Sequence, residues 1–283
     1  MADSTAHFSA FSFVDRITAF TPAKRAQGYF HVPAAVGAFP SCLVAEAVGQ
    51  LAAWVSLEHI DYRGRPVAAL AGETRFLGSV APGDSLHLKV EIDDVDDHAV
   101  SYRGWADVNG KRVIELNDCL GPMLPAADFD APEALRARFA LLCGEGAPAD
   151  RFKGVDPLVA EPIEHLPGKS MSATLKIPTA APFFADHFPR RPVFPATLLL
   201  DAQIGLATAL AREVNAARGW SAPVPSRMTH VKMRAFIVPG QEVDTEAELM
   251  DADDRKTRIA LRAGGGGGKP FATARVEFSA SKD

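Results

Sequence analysis

The chain repeats itself, and no other feature limits its fold as strongly. Phe39-Pro40-Ser41-Cys42-Leu43-Val44-Ala45-Glu46-Ala47 is matched by Phe194-Pro195-Ala196-Thr197-Leu198-Leu199-Leu200-Asp201-Ala202, at an offset of 155 residues. Each acid lies six residues after its proline. Upstream, His31-Val32-Pro33 echoes His187-Phe188-Pro189 at an offset of 156. Downstream, the stretch from Phe76 to Asp84, ending Ala81-Pro82-Gly83-Asp84, echoes Arg234 to Gln241 at an offset of 157. Three pairs in one order, with offsets of 155, 156 and 157, argue for duplication and hence for two like domains.

Length agrees. At about 100–200 residues per domain, 283 residues hold two. We place an N-terminal domain over 1–124 and a C-terminal domain over 153–283. The linker, 125–152, is rich in Ala, Pro and Asp, with a short helix expected over 132–142. A chain that is 47% hydrophobic and 23% charged is neither disordered nor a coiled coil. No apolar run reaches the roughly 18–20 residues of a membrane span. Met1-Ala2-Asp3-Ser4 carries no secretion-signal pattern. Cys42, Cys119 and Cys143 are too few for a disulfide scaffold and lack metal-site spacing, so a reducing cytoplasm is the expected compartment. A net charge of −5 without a basic tract argues against nucleic acid as a partner.

Each half reads as one helix amid antiparallel strands. The apolar stretch from Ser41 to Leu57 follows a proline, holds none, and is long and alanine-rich, which favours helix. Its counterpart runs from Ala196 to Val214. Both are apolar nearly all round and should be buried. Pro82-Gly83-Asp84 leads into the alternating Leu86, Leu88, Val90 and Ile92, a strand. Asn109-Gly110 lies between two strand-like runs and predicts a hairpin turn. Runs 243–249, 258–262 and 272–278 read as strands, with Gly264 to Gly268 as a hairpin tip rather than a phosphate loop.

The chemistry-bearing candidates are few. Glu46 and Asp201 occupy the same point of two apolar helices. A buried carboxylate must raise its pKa or find partners, so a general acid/base role is one reading. The other is an acid favoured by the helix dipole, although both lie about a turn too deep for much benefit. Gln50, four residues after Glu46, shares its helix face and can orient the carboxyl, or simply meet solvent at a rim. Gly205 stands at the matching place. His187 precedes the second helix, where a neutral imidazole can act as a base. His31 has the same His-x-Pro context, one residue further from its helix. No His/Cys/carboxylate cluster suggests a metal.

His187-Phe188-Pro189-Arg190-Arg191-Pro192-Val193-Phe194-Pro195, with Asp201-Ala202 six residues on, resembles the bacterial 3-hydroxyacyl-ACP dehydratases. Their motif is His-Phe-Pro-Gly-x-Pro-x-Met/Phe-Pro-Gly, an apolar run, then Glu or Asp and Ala. The His-to-acid separation of fourteen matches. Phe13-Val14-Asp15-Arg16-Ile17 and the Pro-Gly-Asp turn resemble two further landmarks. The resemblance implies an α+β hotdog fold, a long helix wrapped by an antiparallel sheet, here doubled so that one chain is a covalent pseudo-dimer, open to further homo-oligomerisation. Sites shared between two subunits in the family become two composite sites: His187 with Glu46 and Gln50, and His31 with Asp201. The in-register histidine and the glutamine favour the first. The second is expected to be vestigial.

The implied reaction is β-elimination of water from a 3-hydroxyacyl thioester of ACP or CoA, or its reverse, in fatty-acid or polyketide-type metabolism, with no cofactor. His187 would take the α-proton. Glu46, protonated in an apolar setting, would protonate the leaving hydroxyl. N–H groups near Ala196 and Thr197 would polarise the thioester carbonyl. Substrate contacts are expected from Pro195, Ala196, Thr197, Phe188, Ser41 and Cys42, and from Arg190 and Arg191 toward a pantetheine phosphate or an acyl carrier protein. Two departures bear on activity: the family's glycines are Arg190 and Ala196 here, with Ser41 in the first half. The competing functions are a hotdog thioesterase and a non-catalytic acyl-thioester-binding subunit.

Overall fold

The duplication is written into the strand order. The computed structural model describes residues 8–265 and 268–280. The first repeat supplies β1 (Arg16–Thr21), β2 (Arg25–His31), α1 (Ser41–His59), β3 (Gly64–Pro66), β4 (Leu70–Phe76), β5 (Ser85–Val95), β6 (Ala99–Val108) and β7 (Lys111–Pro125). The helix α2 (Pro132–Cys143) follows. The second repeat supplies β8 (Val159–Leu166), β9 (Ser170–Lys176), α3 (Ala196–Ala217), β10 (Pro223–Met233), β11 (Glu242–Asp253), β12 (Lys256–Gly264) and β13 (Ala272–Ala280). These build one 13-stranded antiparallel sheet in the order β1-β2-β5-β6-β7-β4-β10-β13-β12-β11-β9-β8, with β3 beside β7. Replacing each strand by its repeat equivalent reverses the list. The halves join where β4 meets β10, with Met228 opposite Thr74 and Val231 opposite Ala71.

The local chemistry explains the elements. Pro40 and Pro195 stand extended at the N-caps of α1 and α3, where a missing N–H costs nothing. Asn109 and Gly110 both have positive φ (50° and 76°), the turn that joins β6 to β7 and matches strand twist. α2 spans Pro132–Cys143, one residue beyond the expected end. Met1 to Ser4, and Gly266 and Gly267 of the glycine run, lie outside the described residues.

α1 packs against β5, β6 and β2 and touches α3, and it buries Leu43, Val44, Val48, Leu51, Val55 and Leu57. Fully burying each such side chain is worth about 1.5–3 kcal/mol, so this face fixes the helix to the sheet. α3 packs against β11, β10 and β12. It is more one-sided than its sequence suggests: Gly205 and Arg212 are exposed. The sheet edges differ too. α2 covers β1, whereas every residue of β8 is exposed.

Gly104 on β6 shows how closely α1 approaches. A Cβ there would meet Val48 Cγ1 at 2.5 Å and the Lys89 carbonyl oxygen at 2.9 Å. Gly104→Ala should therefore cost about 1–3 kcal/mol through overpacking, visible as a lowered thermal midpoint. An unchanged midpoint would show that α1 and β6 can part without loss.

Candidate active site

One cavity of about 400 Å³ runs between the repeats. Its walls are mostly apolar, drawn from α1, α3 and the joining strands: Ala53, Trp54, Leu116, Leu199, Met228 and Val231 among them. This volume and lining suit a small acyl ligand. Its polar groups converge where the N-terminal turns of α1 and α3 come together.

Glu46 is held from both repeats. Gln50 Nε2, one turn along α1, donates to Oε1 at 3.0 Å. Thr197 Oγ1, in the first turn of α3, donates to Oε2 at 2.9 Å. Gln50 is itself fixed: its Nε2 also donates to the Phe11 carbonyl at 2.9 Å, and its Oε1 accepts from the Phe13 N–H at 2.8 Å. A carboxyl so held has a set direction, as proton transfer requires.

His187 lines the same cavity. Its Nδ1 lies 2.9 Å from the Val193 carbonyl oxygen. A carbonyl only accepts, so Nδ1 carries the hydrogen and a neutral ring keeps its lone pair on Nε2. The ring stacks on Phe188 (centroids 4.3 Å apart) and meets the edge of Phe11 at 5.8 Å. Burial lowers the His187 pKa, and the negative charge of Glu46 pulls it back up. Arg65 lowers it further. Arg65, on β3, pairs with the buried Asp130 at 3.2 Å and lies over the Phe188 ring at 4.6 Å. Ala196 and Thr197 begin α3, and both line the cavity. Helix carbonyl bonding starts only at Leu198 and Leu199, which donate to Pro195, so among the described residues no backbone carbonyl accepts from the Ala196 and Thr197 N–H groups, which can meet a ligand oxygen.

Residues 29–117 match the FabA-like domain family, and residues 164–273 match the ApeI-like family, described as ApeI dehydratase. The 3-hydroxyacyl-[acyl-carrier-protein] dehydratase FabZ of Bacillus subtilis (strain 168) is 38% identical over 129 residues, which is 41% of this chain and 91% of that protein. The chain belongs to the 3-hydroxyacyl-ACP dehydratase family. These dehydratases are hydro-lyases. The FabZ of Clostridium acetobutylicum is 34% identical over 113 residues, 36% of this chain and 80% of that protein. Among solved structures, a putative oleoyl thioesterase from Lactobacillus plantarum superposes with a TM-score of 0.60 at 8% identity, covering 92% of this chain and 97% of that one. A MaoC-like dehydratase gives 0.53 at 14%, covering 92% and 98%. These two likenesses concern the fold, a double hotdog.

The dehydratase-family motif is not equally furnished in the two repeats. Asp201 neighbours Cys42, whose thiol pKa burial and the Asp201 charge both raise. This mirrors Glu46 beside Thr197 under the repeat. Asp201, however, accepts no hydrogen bond among the described residues. Its pKa is raised by burial. His31 ends β2 and turns its Nδ1 to Ser85 Oγ at 3.1 Å, in an exposed position. Neither His31 nor Asp201 lines the cavity that His187 and Glu46 share. Of the expected substrate contacts, Phe188, Ala196 and Thr197 line it, and Pro195, Ser41 and Cys42 do not. Arg190 bonds the Ala127 carbonyl oxygen at 3.0 Å, and Arg191 lies over the rings of Phe236 (4.9 Å) and Phe129 (5.5 Å). Both arginines are exposed and outside the cavity wall. The short motif does not fix these outward directions, which the docked Phe129 segment sets.

Sequence reading missed the strap of this candidate site. Residues Phe8, Phe11, Ser12 and Val14 line the cavity from the N-terminal segment. The carboxylate of Asp186, one residue before His187, accepts the N–H of Phe8, the N–H of Phe11 at 2.6 Å and the Ser12 hydroxyl at 3.2 Å. These partners lie some 175 residues apart in sequence, so no local pattern announces them. Asp186→Ala would strand the Phe8 and Phe11 donors in a buried place, at about 1–3 kcal/mol each. We expect a lowered melting point and faster proteolysis near the N-terminus. Wild-type resistance to both would mean that the strap is held by other contacts.

Proposed function

We propose that this chain is a 3-hydroxyacyl-thioester dehydratase, run in reverse as an enoyl-thioester hydratase, with one working composite site. The observation that carries the reading is that His187 of one repeat and Glu46 of the other face one apolar cavity, each with its orientation fixed. His187 Nε2 takes the α-proton of the 3-hydroxyacyl group. The electron pair forms the Cα–Cβ double bond as the Cβ–O bond breaks. Glu46 protonates the departing hydroxyl, which leaves as water. The Ala196 and Thr197 N–H groups hold the thioester oxygen while it gains charge. Gln50 and Thr197 keep the Glu46 carboxyl aimed. The His31 and Asp201 pair is a relic of the duplication and does no chemistry.

The substrate is an acyl thioester carried by ACP or CoA, in fatty-acid or polyketide-type metabolism. We assign the repeats to 1–124 and 153–283, each a helix wrapped by its sheet, with 125–152 as linker. The chain then contains its own pseudo-dimer and works in the cytoplasm. The test is direct. Purified protein given trans-2-enoyl thioesters should remove the conjugated ultraviolet absorbance without releasing thiol. Thiol release would instead favour a thioesterase. Silence on short, medium and ACP-linked substrates would favour a binding subunit.

A further inference from the structure

Arg138 belongs to α2, outside the two family-matched regions, yet it lines the cavity. It is only 6% exposed. Among the described residues its Nε has no hydrogen-bond partner and it forms no ion pair. The Phe8 ring lies 5.4 Å from its guanidinium carbon. Burial lowers its pKa to about 10, as does Arg151, while the charges of Asp186 and Asp15 oppose. Those two acids are engaged elsewhere: Asp186 with the strap, Asp15 with the His31 N–H at 2.7 Å. A buried cation without a matching acceptor is costly, and a cavity ligand can supply the acceptor.

Arg138 meets the cavity beside Phe8. Phe8, Trp54, Leu57 and Leu142 line the same cavity. Phe8 packs on Trp54, with centroids 6.0 Å apart. Trp54 lies two turns beyond Glu46 on α1, about 12 Å along the axis, and Leu57 lies further still. The charges acting on His187 are those of Glu46 and Arg65. With the thioester at His187 and Glu46, an acyl chain following α1 would carry its tail to Arg138.

We propose that Arg138 binds a carboxylate at the far end of the acyl chain, so that the cavity selects ω-carboxyacyl thioesters. This rests on the dehydratase reading for the direction of the chain. The planar guanidinium presents paired donors that match a carboxylate's two oxygens, and the apolar walls between suit the methylenes.

The test separates the two readings. Pantetheine thioethers of several chain lengths, ending in carboxylate, hydroxyl or methyl, are titrated calorimetrically into the full chain and into Arg138→Met and Arg138→Lys. The same termini are assayed as enoyl thioesters. At the best length, the carboxylate should bind wild type on the order of tenfold to a hundredfold tighter than methyl. Arg138→Met should abolish or invert that ratio. Arg138→Lys, which keeps the charge and guards against a misfolded variant, should retain part of it. Equal ratios in wild type and Arg138→Met overturn the proposal, as does a wild-type preference for hydroxyl or methyl. A carboxylate preference lost in Arg138→Met, with no hydration of any substrate, would uphold the Arg138 subsite and overturn the reaction. Hydration with no terminal preference would do the reverse.

Discussion

His187→Ala should lower kcat/KM for enoyl-thioester hydration by about 10²–10⁴-fold while leaving the chain folded. The ring supplies the one imidazole lone pair that faces the cavity among the described residues, because Nδ1 is committed to the Val193 carbonyl. Removing it leaves the hydrogen-bonded Glu46 in place, so ligand binding should survive. The pH profile sharpens the expectation. Burial lowers the His187 pKa below its ordinary value of 6.5. The imidazole therefore stays neutral through the neutral range, and the acid limb of kcat/KM for dehydration, the direction in which the ring is the base, should lie below pH 6.5. Stability follows the same sign. Below 6.5 the unfolded chain binds a proton that the folded site refuses, so the contribution of the neutral ring is present at and above that pH and is lost as pH falls through the folded value. His187→Ala should erase the limb as well as the rate. His31→Ala, which alters an exposed ring bonded to Ser85, should change neither. If His187→Ala kept most of the wild-type rate, the composite site would be the wrong one.

Much of this was legible in the residues. The three in-register pairs foretell the reversed strand order, since a duplicated chain must build the same half twice. Pro40 and Pro195 mark where α1 and α3 begin, and the Glu46-to-Gln50 spacing places their hydrogen bond. The illegible parts share one cause. The Thr197 hydroxyl on Glu46, the strap on Asp186 and the approach of Arg138 to the cavity all depend on how the repeats and linker dock. Their partners are 151 and 175 residues apart in the first two cases. Helix periodicity and turn chemistry act over a few residues, so they do not encode such pairings. The same docking separates the two acids. Glu46 gains Gln50 and Thr197. Asp201 meets Cys42 and has Gly205 where a glutamine would stand.

Glu46→Gln is the companion test, and its near-identical shape makes it the more informative. The amide can turn its oxygen toward Gln50 Nε2 and its nitrogen toward Thr197 Oγ1, which can accept as well as donate. The helix contact across the repeats is thereby kept, whereas no proton can be delivered to the leaving hydroxyl. We expect kcat to fall by about 10²–10⁴-fold, with KM and the affinity for an unreactive thioether close to wild type. That split separates proton transfer from packing, because a merely structural Glu46 would move binding and melting point together with kcat. Asp201→Asn serves as the control in the same fold position. Asp201 accepts no hydrogen bond among the described residues, and burial raises its pKa, so neutralising it should leave kcat unchanged and hold or raise the melting point. Loss of activity in Asp201→Asn comparable with that in Glu46→Gln would show that both halves of the duplication work.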